Sequence, residues 1–338
     1  MNALWPKLLG RLLAREDLSA DETAEAMRGI ASGEATPAQV AAFAVGLRAK
    51  GETAGELSGL ARTLLEMAPT VETPGPVTDT SGSGGDHSKT INVSTIAAIV
   101  AAGGGAIVAK QGNRARSSRC GSADLVEALG VKVILEPDAV TRCLEQCGIA
   151  FMFAPRFHPS LSQTAIPRRE MGVPTVFDYL APLTNPARPA AQLVGVSDQQ
   201  MLPVIAAVLA ERGTKGYVAR GTDGIDEITT TGPTEIFEVN AGTYLRYYVL
   251  PIEIGVAVAR PADLAGGDAA TNAGLARAVL SGEKGPGRDI VCVNAAAALS
   301  AAGLADDIED GLQRAAESID SGKAAAVLDR WVEVSNRV

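Results

Sequence analysis

The chain has 338 residues, 46% of them hydrophobic, with 39 acidic against 30 basic side chains, a formal net charge of -9 and a pI near 4.9. That length and apolar share can bury a large core, as one large domain plus a smaller one. The acidic balance argues against nucleic acid or an anionic membrane as partner, since each needs a broad basic face.

The N-terminal MNALWPKLLGRLLARED is amphipathic but too short and too charged to span a bilayer, and it has no small-residue cleavage pattern. A cytoplasmic protein is the expectation. Four cysteines at irregular spacings do not make a disulfide framework. Cys143 and Cys147 share a helix face, but with only two histidines in the chain they read as buried core thiols rather than a zinc site.

Residues 1–72 read as helices only, punctuated by three capping boxes: Ser19 with Glu22, Thr36 with Gln39, and Thr53 with Glu56. Pro37 stands at a first helical position. The helices between are short and amphipathic, and each needs a partner surface. The residues leave open whether that surface is a second copy of the chain, giving a homodimer, or only the chain's own larger domain.

At TPGPVTDTSGSGGD proline and glycine stop the helical pattern, and residues 73–338 read as a second domain. Apolar runs suited to buried strands (GAIVAK, VKVIL, IAFMFA, QLVGV, KGYVAR) alternate with helical stretches. The fold class expected is α/β: a small N-terminal all-α domain and a larger α/β domain with a mostly parallel sheet. Ligands of such sheets gather at the loops leaving strand C-termini, where Lys110 and Gly221 stand.

Between Asp86 and Asp124 there is no carboxylate, where an even spread would place about four. The same stretch holds Lys89, Lys110, Arg114, Arg116 and Arg119. Gly82, Gly84 and Gly85 let backbone N–H groups approach an anion, and the run from Asn92 to Thr95 offers donors at what reads as a helix start. GSGGD alone is a weak signal, and it fits neither the dinucleotide fingerprint, which wants glycine at His87, nor the P-loop, which wants it at Ser88. Its company of Asn92, Ser94, Thr95, Lys110, Asn113, Ser117 and Ser118 makes it read as a phosphate-binding apparatus.

A second constellation, GTDGIDEITTTGPTE, sets Asp226 beside Glu227 in a glycine-flanked loop. Hard cations such as Mg²⁺ commonly bridge one or two carboxylates to substrate phosphates, so a phosphate pocket favours a metal role over a solvated acidic turn. In FAPRFHPSLSQTAIPRREMG, an arginine could hold an acidic co-substrate or pair with Glu170, and His158 reads as a hydrogen-bonded structural residue. No Ser-His-Asp or similar nucleophile-base pair stands out.

GSGGD, NVST, KQGNRARSS, GSAD, RREMG, PLTNPA, DGIDE and GGDAATNA follow one another at a spacing that resembles the anthranilate phosphoribosyltransferases over essentially the whole chain. The resemblance implies a small helical domain, expected to take in helices from about 165–190, hinged on a nucleoside-phosphorylase-like α/β domain. It implies Mg²⁺-dependent transfer from 5-phosphoribosyl 1-pyrophosphate to anthranilate, in tryptophan biosynthesis. Gly82, Gly85, Asp86, Thr90, Asn92, Val93, Ser94, Thr95, Lys110, Gln111, Gly112, Asn113, Arg114, Ala115, Arg116, Ser117, Ser118 and Ser122 would form the phosphoribosyl pyrophosphate site. Ser94, Asp226 and Glu227 would be the magnesium ligands. Gly82, Asn113 and Arg168 would form the anthranilate site, with catalytic roles for Lys110, Asn113 and Arg168.

The chain departs from that pattern at Ser83 (usually Thr), Gln111 (His), Asp178 (Asn), Ala181 (Gly) and Ser162-Gln163 (Arg-His). Apart from Ser83, these lie on or near the acceptor side. A different aromatic acceptor, a nucleotide-binding or nucleic-acid-binding paralogue, and a nucleoside phosphorylase are the alternatives.

Overall fold

The structure is a computed structural model and describes residues 4–115, 118–240 and 242–338. It opens with four helices, α1 (Leu4–Leu13), α2 (Ala20–Ala31), α3 (Pro37–Lys50) and α4 (Ala54–Met67). All three capping boxes form: the hydroxyls of Ser19, Thr36 and Thr53 accept the N–H groups of Glu22, Gln39 and Glu56 at 3.2, 3.2 and 3.3 Å. Such a cap is worth about 1 kcal/mol, so the starts of these short helices are set locally. Their packing is not local. Trp5, Leu8, Met27, Phe43, Leu47, Leu60 and Leu64 form one apolar cluster with Val176, Phe177, Leu180 and Leu183 from far along the chain.

The α/β part runs β1 (Thr78–Gly82), α5 (Val93–Gly103), β2 (Val108–Gly112), α6 (Ser122–Ala128), α7 (Pro137–Cys147) and β3 (Ile149–Phe153). Three short helices follow, α8 (Ala154–Phe157), α9 (Ala165–Met171) and α10 (Val176–Tyr179). After them come β4 (Ala191–Gly195), α11 (Met201–Glu211), β5 (Lys215–Gly221), β6 (Thr234–Asn240) and β7 (Thr243–Val249). Helices α12 (Ala269–Leu280), α13 (Pro286–Ala301), α14 (Ile308–Asp320) and α15 (Lys323–Arg337) close the chain. The sheet order is β3-β2-β1-β4-β5-β6-β7, parallel from β3 to β5 and antiparallel from β5 to β7.

The two-residue period of a strand sorts the core. Leu193, Tyr217 and Ile236 pack with Val293 and Ala297 of α13, whereas Val194, Val218 and Phe237 join α11 and the N-terminal helices. The small helical unit is therefore continuous with one face of the sheet. Among the described residues no helix is long and apolar enough to cross a membrane, and all four cysteines are buried and free.

Three expectations need correcting. VKVIL is not a strand: Val131, Val133 and Leu135 alternate into the core with Lys132 and Ile134 outside, so one-face burial occurs without a ladder. The polar TDTSG, absent from the expected strands, is the interior strand β1, with Thr78, Asp79 and Thr80 buried. The β6–β7 hairpin, absent from the predicted strands, adds the antiparallel edge.

Candidate functional site

The C-terminal ends of β1, β2, β4 and β5 meet the loop after β5, and the glycine cluster and the distant carboxylate pair come together there. The Gly84 N–H donates to Asp226 Oδ2 at 2.7 Å, and the Ser94 N–H at the start of α5 donates to Glu227 Oε1 at 3.2 Å. Close approach explains two glycines. A Cβ at Gly82 would lie 2.4 Å from Asp226 Oδ2, and one at Gly195 would lie 1.5 Å from the Asp226 carbonyl oxygen. The carboxylate loop thus lies directly on the ends of β1 and β4. Ser197, which sequence reasoning missed, ties the glycine loop to β4: its N–H donates to Ser83 Oγ at 3.0 Å and its hydroxyl to the Gly84 carbonyl at 2.8 Å.

Burial dominates the electrostatics. It pushes Asp226 well above the usual carboxylate range, helped by the nearby charges of Asp86 and Glu227. It pushes Glu227 up to about 8, opposed by Lys110 and by the Ser94 hydrogen bonds. Lys110, 2% exposed, gives its ammonium to the Thr80 carbonyl, and burial lowers its pKa against the pull of Asp79, Glu227 and Asp226. So Lys110 faces the buried acids, not an open cradle as the sequence suggests. Asp79, equally buried, is raised by desolvation and opposed by Lys110 and by the Asn185 amide, which donates to it at 2.8 Å.

This donor set fits a divalent cation. Two adjacent buried carboxylates beside Asp86, with one buried ammonium as countercharge, leave negative charge that a hard cation would offset. Among the described residues no three His, Cys, Asp or Glu side chains could hold a metal ion by themselves. A cation here would complete its shell with water and ligand oxygens, as Mg²⁺ usually does. Two buried hydroxyls, Ser81 Oγ at the end of β1 and Thr95 Oγ1 at the start of α5, have no hydrogen-bond partner among the described residues. Unpaired hydroxyls are costly to bury and are natural donors to a bound anion.

Other predicted donors are held by the protein itself. The Asn92 amide donates to the Cys120 carbonyl at 3.0 Å and accepts from Asn272 at 2.8 Å, pinning the 118–122 turn to the GGDAATNA segment. Thr90 bridges to Ala265, while Ser88 Oγ contacts Asp86 at 2.5 Å and Thr90 at 3.2 Å. Val93 is buried and donates its N–H to the Ile91 carbonyl. Arg114, expected at the phosphate, pairs with Glu127 at 2.8 Å and Asp124 at 3.0 Å. Asp124 also accepts the Ala115 and Gly121 N–H groups, each at 2.9 Å, and so shapes the loop. Ser122 Oγ accepts from the Asn113 N–H and donates to its carbonyl, both at 3.2 Å, where β2 ends at Gly112. Gly85 has φ +79°, and Ser118 donates to the Cys120 carbonyl. Arg116 and Ser117, also expected at the phosphate, lie outside the described residues.

The opposite face of β1 and β2 carries Asp79 and Gln111. The Gln111 N–H reaches Asp79 at 3.4 Å and its side-chain amide reaches Thr184 Oγ1 at 3.5 Å, while its buried Oε1 has no partner. His158 Nε2 contacts the Thr184 carbonyl at 2.6 Å, as expected of a structural histidine. Arg168 on α9 pairs with Asp178 of α10 at 2.7 Å. Asp178 in turn accepts the Thr175 N–H at 2.9 Å. Arg48 of α3 pairs with Asp198 and lies over the Tyr179 ring, fastening the helical unit to the exit of β4.

Residues 74–325 match the α/β domain of a glycosyl transferase family, and residues 6–68 match the helical bundle domain of the same family. The chain is 54% identical over 337 residues to an anthranilate phosphoribosyltransferase of Acidothermus cellulolyticus, covering 98% of this chain and 95% of that protein. The crystal structure of the anthranilate phosphoribosyltransferase from Thermus thermophilus is 40% identical with a TM-score of 0.92, over 97% of this chain and 99% of that one. The Saccharomyces cerevisiae enzyme in complex with PRPP and Mg is 26% identical with a TM-score of 0.91, over 100% and 99%.

Proposed function

Because this chain belongs to the anthranilate phosphoribosyltransferase family, we propose that its cleft joins anthranilate to 5-phosphoribosyl 1-pyrophosphate. The amine nitrogen bonds to the anomeric carbon, the bond from that carbon to pyrophosphate breaks with its electron pair going to the leaving oxygen, the nitrogen gives up one proton to pyrophosphate or solvent, and N-(5-phosphoribosyl)anthranilate and pyrophosphate leave. One observation carries the reading: two loops more than 130 residues apart in sequence meet where Gly84 binds Asp226 and Ser94 binds Glu227.

Asp226 and Glu227, with Ser94 beside them, would hold the magnesium ion, which when bound offsets charge gathering on the leaving pyrophosphate. The chain's own groups position the rest. The unpartnered hydroxyl of Thr95, next to Ser94 at the start of α5, and the backbone of the GSGGD loop receive phosphate oxygens. Lys110 keeps the buried acids partly neutralised. Arg168 offers its guanidinium to the acceptor carboxylate, in competition with Asp178. An aromatic amine is a weak nucleophile, so rate comes from alignment and leaving-group stabilisation, and no strong base is needed.

Loss of anthranilate fluorescence on incubation with the donor sugar and Mg²⁺ tests the reading. We expect turnover by the wild-type protein and none by Asp226→Ala with Glu227→Ala. Full activity in that double variant refutes the metal assignment, and absence of turnover in the wild type refutes the acceptor.

We further propose a cytoplasmic homodimer joined through the helical unit, with a hinge near residues 72–73 and the 165–190 segment moving with α1–α4. The four free cysteines suit a reducing compartment, and Val176, Phe177, Leu180 and Leu183 pack in the same cluster as α1–α4. Light scattering of the purified protein decides the oligomer: a mass near twice 34.7 kDa is expected, and a monomer removes it.

A further inference from the structure

A cavity of about 590 Å³ opens at the other end of the sheet, where Gln192 begins β4 and Thr214 precedes β5, walled by α4, the 182–189 loop and the end of α11. That volume is in the range of small-molecule sites. Its charged lining is three arginines and two glutamates, and their contacts separate them. Arg62 is engaged by Asp21 at 2.7 Å, and Glu211 accepts the Ser58 hydroxyl at 2.8 Å. Arg212 spends one N–H on the Leu183 carbonyl at 2.6 Å. Arg188 has no side-chain hydrogen bond or ion pair among the described residues, and its charge acts on Arg212 against the opposing pull of Glu211.

Arg188 is also held in a conformation an L-residue seldom takes, φ +48°, with its N–H on the Asn185 carbonyl at 3.0 Å. Strain of this kind persists only where the surroundings enforce it, and it clusters at ligand clamps. Here the enforcement is visible. Asn185 is buried and donates to Asp79 and to the Ala109 carbonyl, both at 2.8 Å, so the turn that presents Arg188 is anchored in the sheet. Arg212 lines the same space as Arg188, together with the apolar side chains of Leu65, Pro182 and Pro189.

We propose that this cavity is a second binding site, separate from the catalytic cleft, for a small organic anion: its carboxylate or phosphate lies between Arg188 and Arg212, and its apolar body lies against Leu65, Pro182 and Pro189. Two guanidiniums offer forked donors to either oxyanion.

Calorimetric titration of the whole protein with phenyl phosphate, and separately with benzoate, tests the site and distinguishes the two head groups. A single saturable site per chain is expected for at least one probe, weakened about tenfold or more in Arg188→Gln, and a soaked crystal should place the probe between the two arginines. Arg188 has no partner to lose, so that variant should melt with the wild type. Arg212→Gln, which gives up the Leu183 contact, is the second variant. The proposal is overturned if neither probe saturates below about 10 mM. It is equally overturned if binding is unchanged in both variants, or if the soaked probe is found only in the catalytic cleft.

Discussion

The two faces of β1 and β2 are built to different tolerances. On the face of Thr80 and Lys110, contacts are short and tied to backbone: Thr80 Oγ1 donates to the Ser94 carbonyl at 2.9 Å, and Gly84 holds Asp226 at 2.7 Å. On the face of Asp79 and Gln111, the Gln111 contacts stretch to 3.4 and 3.5 Å and one buried amide oxygen is unpaired. Hydrogen bonds weaken steeply toward such distances. Gln111 is the loosely held group of the second face, although Asn185 there reaches Asp79 at 2.8 Å; in the proposed reaction the first face serves the donor sugar and the second the acceptor.

The largest effect should come from neutralising the rigid side. Asp226→Asn with Glu227→Gln keeps the shapes and removes both charges, and kcat should fall by about a thousandfold or more. Removing two buried charges also removes their desolvation cost, so without Mg²⁺ the melting temperature should rise. A variant that loses both activity and stability would make the carboxylates part of the scaffold, and the contrast between the faces would fail.

Next comes Gly195→Ala, whose methyl would sit on the Asp226 carbonyl oxygen. Because backbone cannot yield as a side-chain end can, the loop must move, at about 3 kcal/mol with a matching loss of activity. Gly274→Ala, mid-helix in α12 with nothing within 4 Å, is the control and should gain up to about 1 kcal/mol. Urea denaturation of both variants, read with kcat, separates local crowding from a general intolerance of alanine.

These two glycines also mark what could be read from sequence. The capping boxes were legible because each is a local exchange between residues three apart, and the α/β alternation because strand and helix periods differ. The carboxylate pair stood out as a bare acidic dipeptide in a glycine-flanked loop. What did not show is what tertiary packing decides. Gly82 reads as an anion cradle, and its missing side chain also makes room for Asp226, which no local pattern shows. Asp79 carries no strand signal of its own because the lysine, asparagine and strand neighbours that let it be buried come from residues 109–111 and 185. Arg114 counted toward a basic patch because Glu127 lies just beyond the acid-free stretch and returns to it only when α6 forms.

Asn185→Ala addresses the looser face from below. It removes the donors to Asp79 and to the Ala109 carbonyl, leaving both buried, and should cost about 2 kcal/mol in urea denaturation. Catalytic constants of the folded fraction should change less than in Gly195→Ala. If kcat falls as far as it does there, Asp79 belongs with the catalytic charges and the two faces form one network.

The smallest effect is expected at Asp178→Asn. The carboxylate sits 2.7 Å from Arg168 and caps α10 through the Thr175 N–H at 2.9 Å; asparagine keeps an oxygen for the cap and removes the charge. Both side chains are partly exposed, 16% for Arg168 and 22% for Asp178, so the pair is worth about 0.2–1 kcal/mol. With that charge gone, Asp178 draws less on Arg168, and KM for anthranilate should fall about two- to threefold at constant kcat. A rise in KM would mean that Asp178 aims Arg168 rather than competing for it, and the acceptor face would then be as preorganised as the donor face.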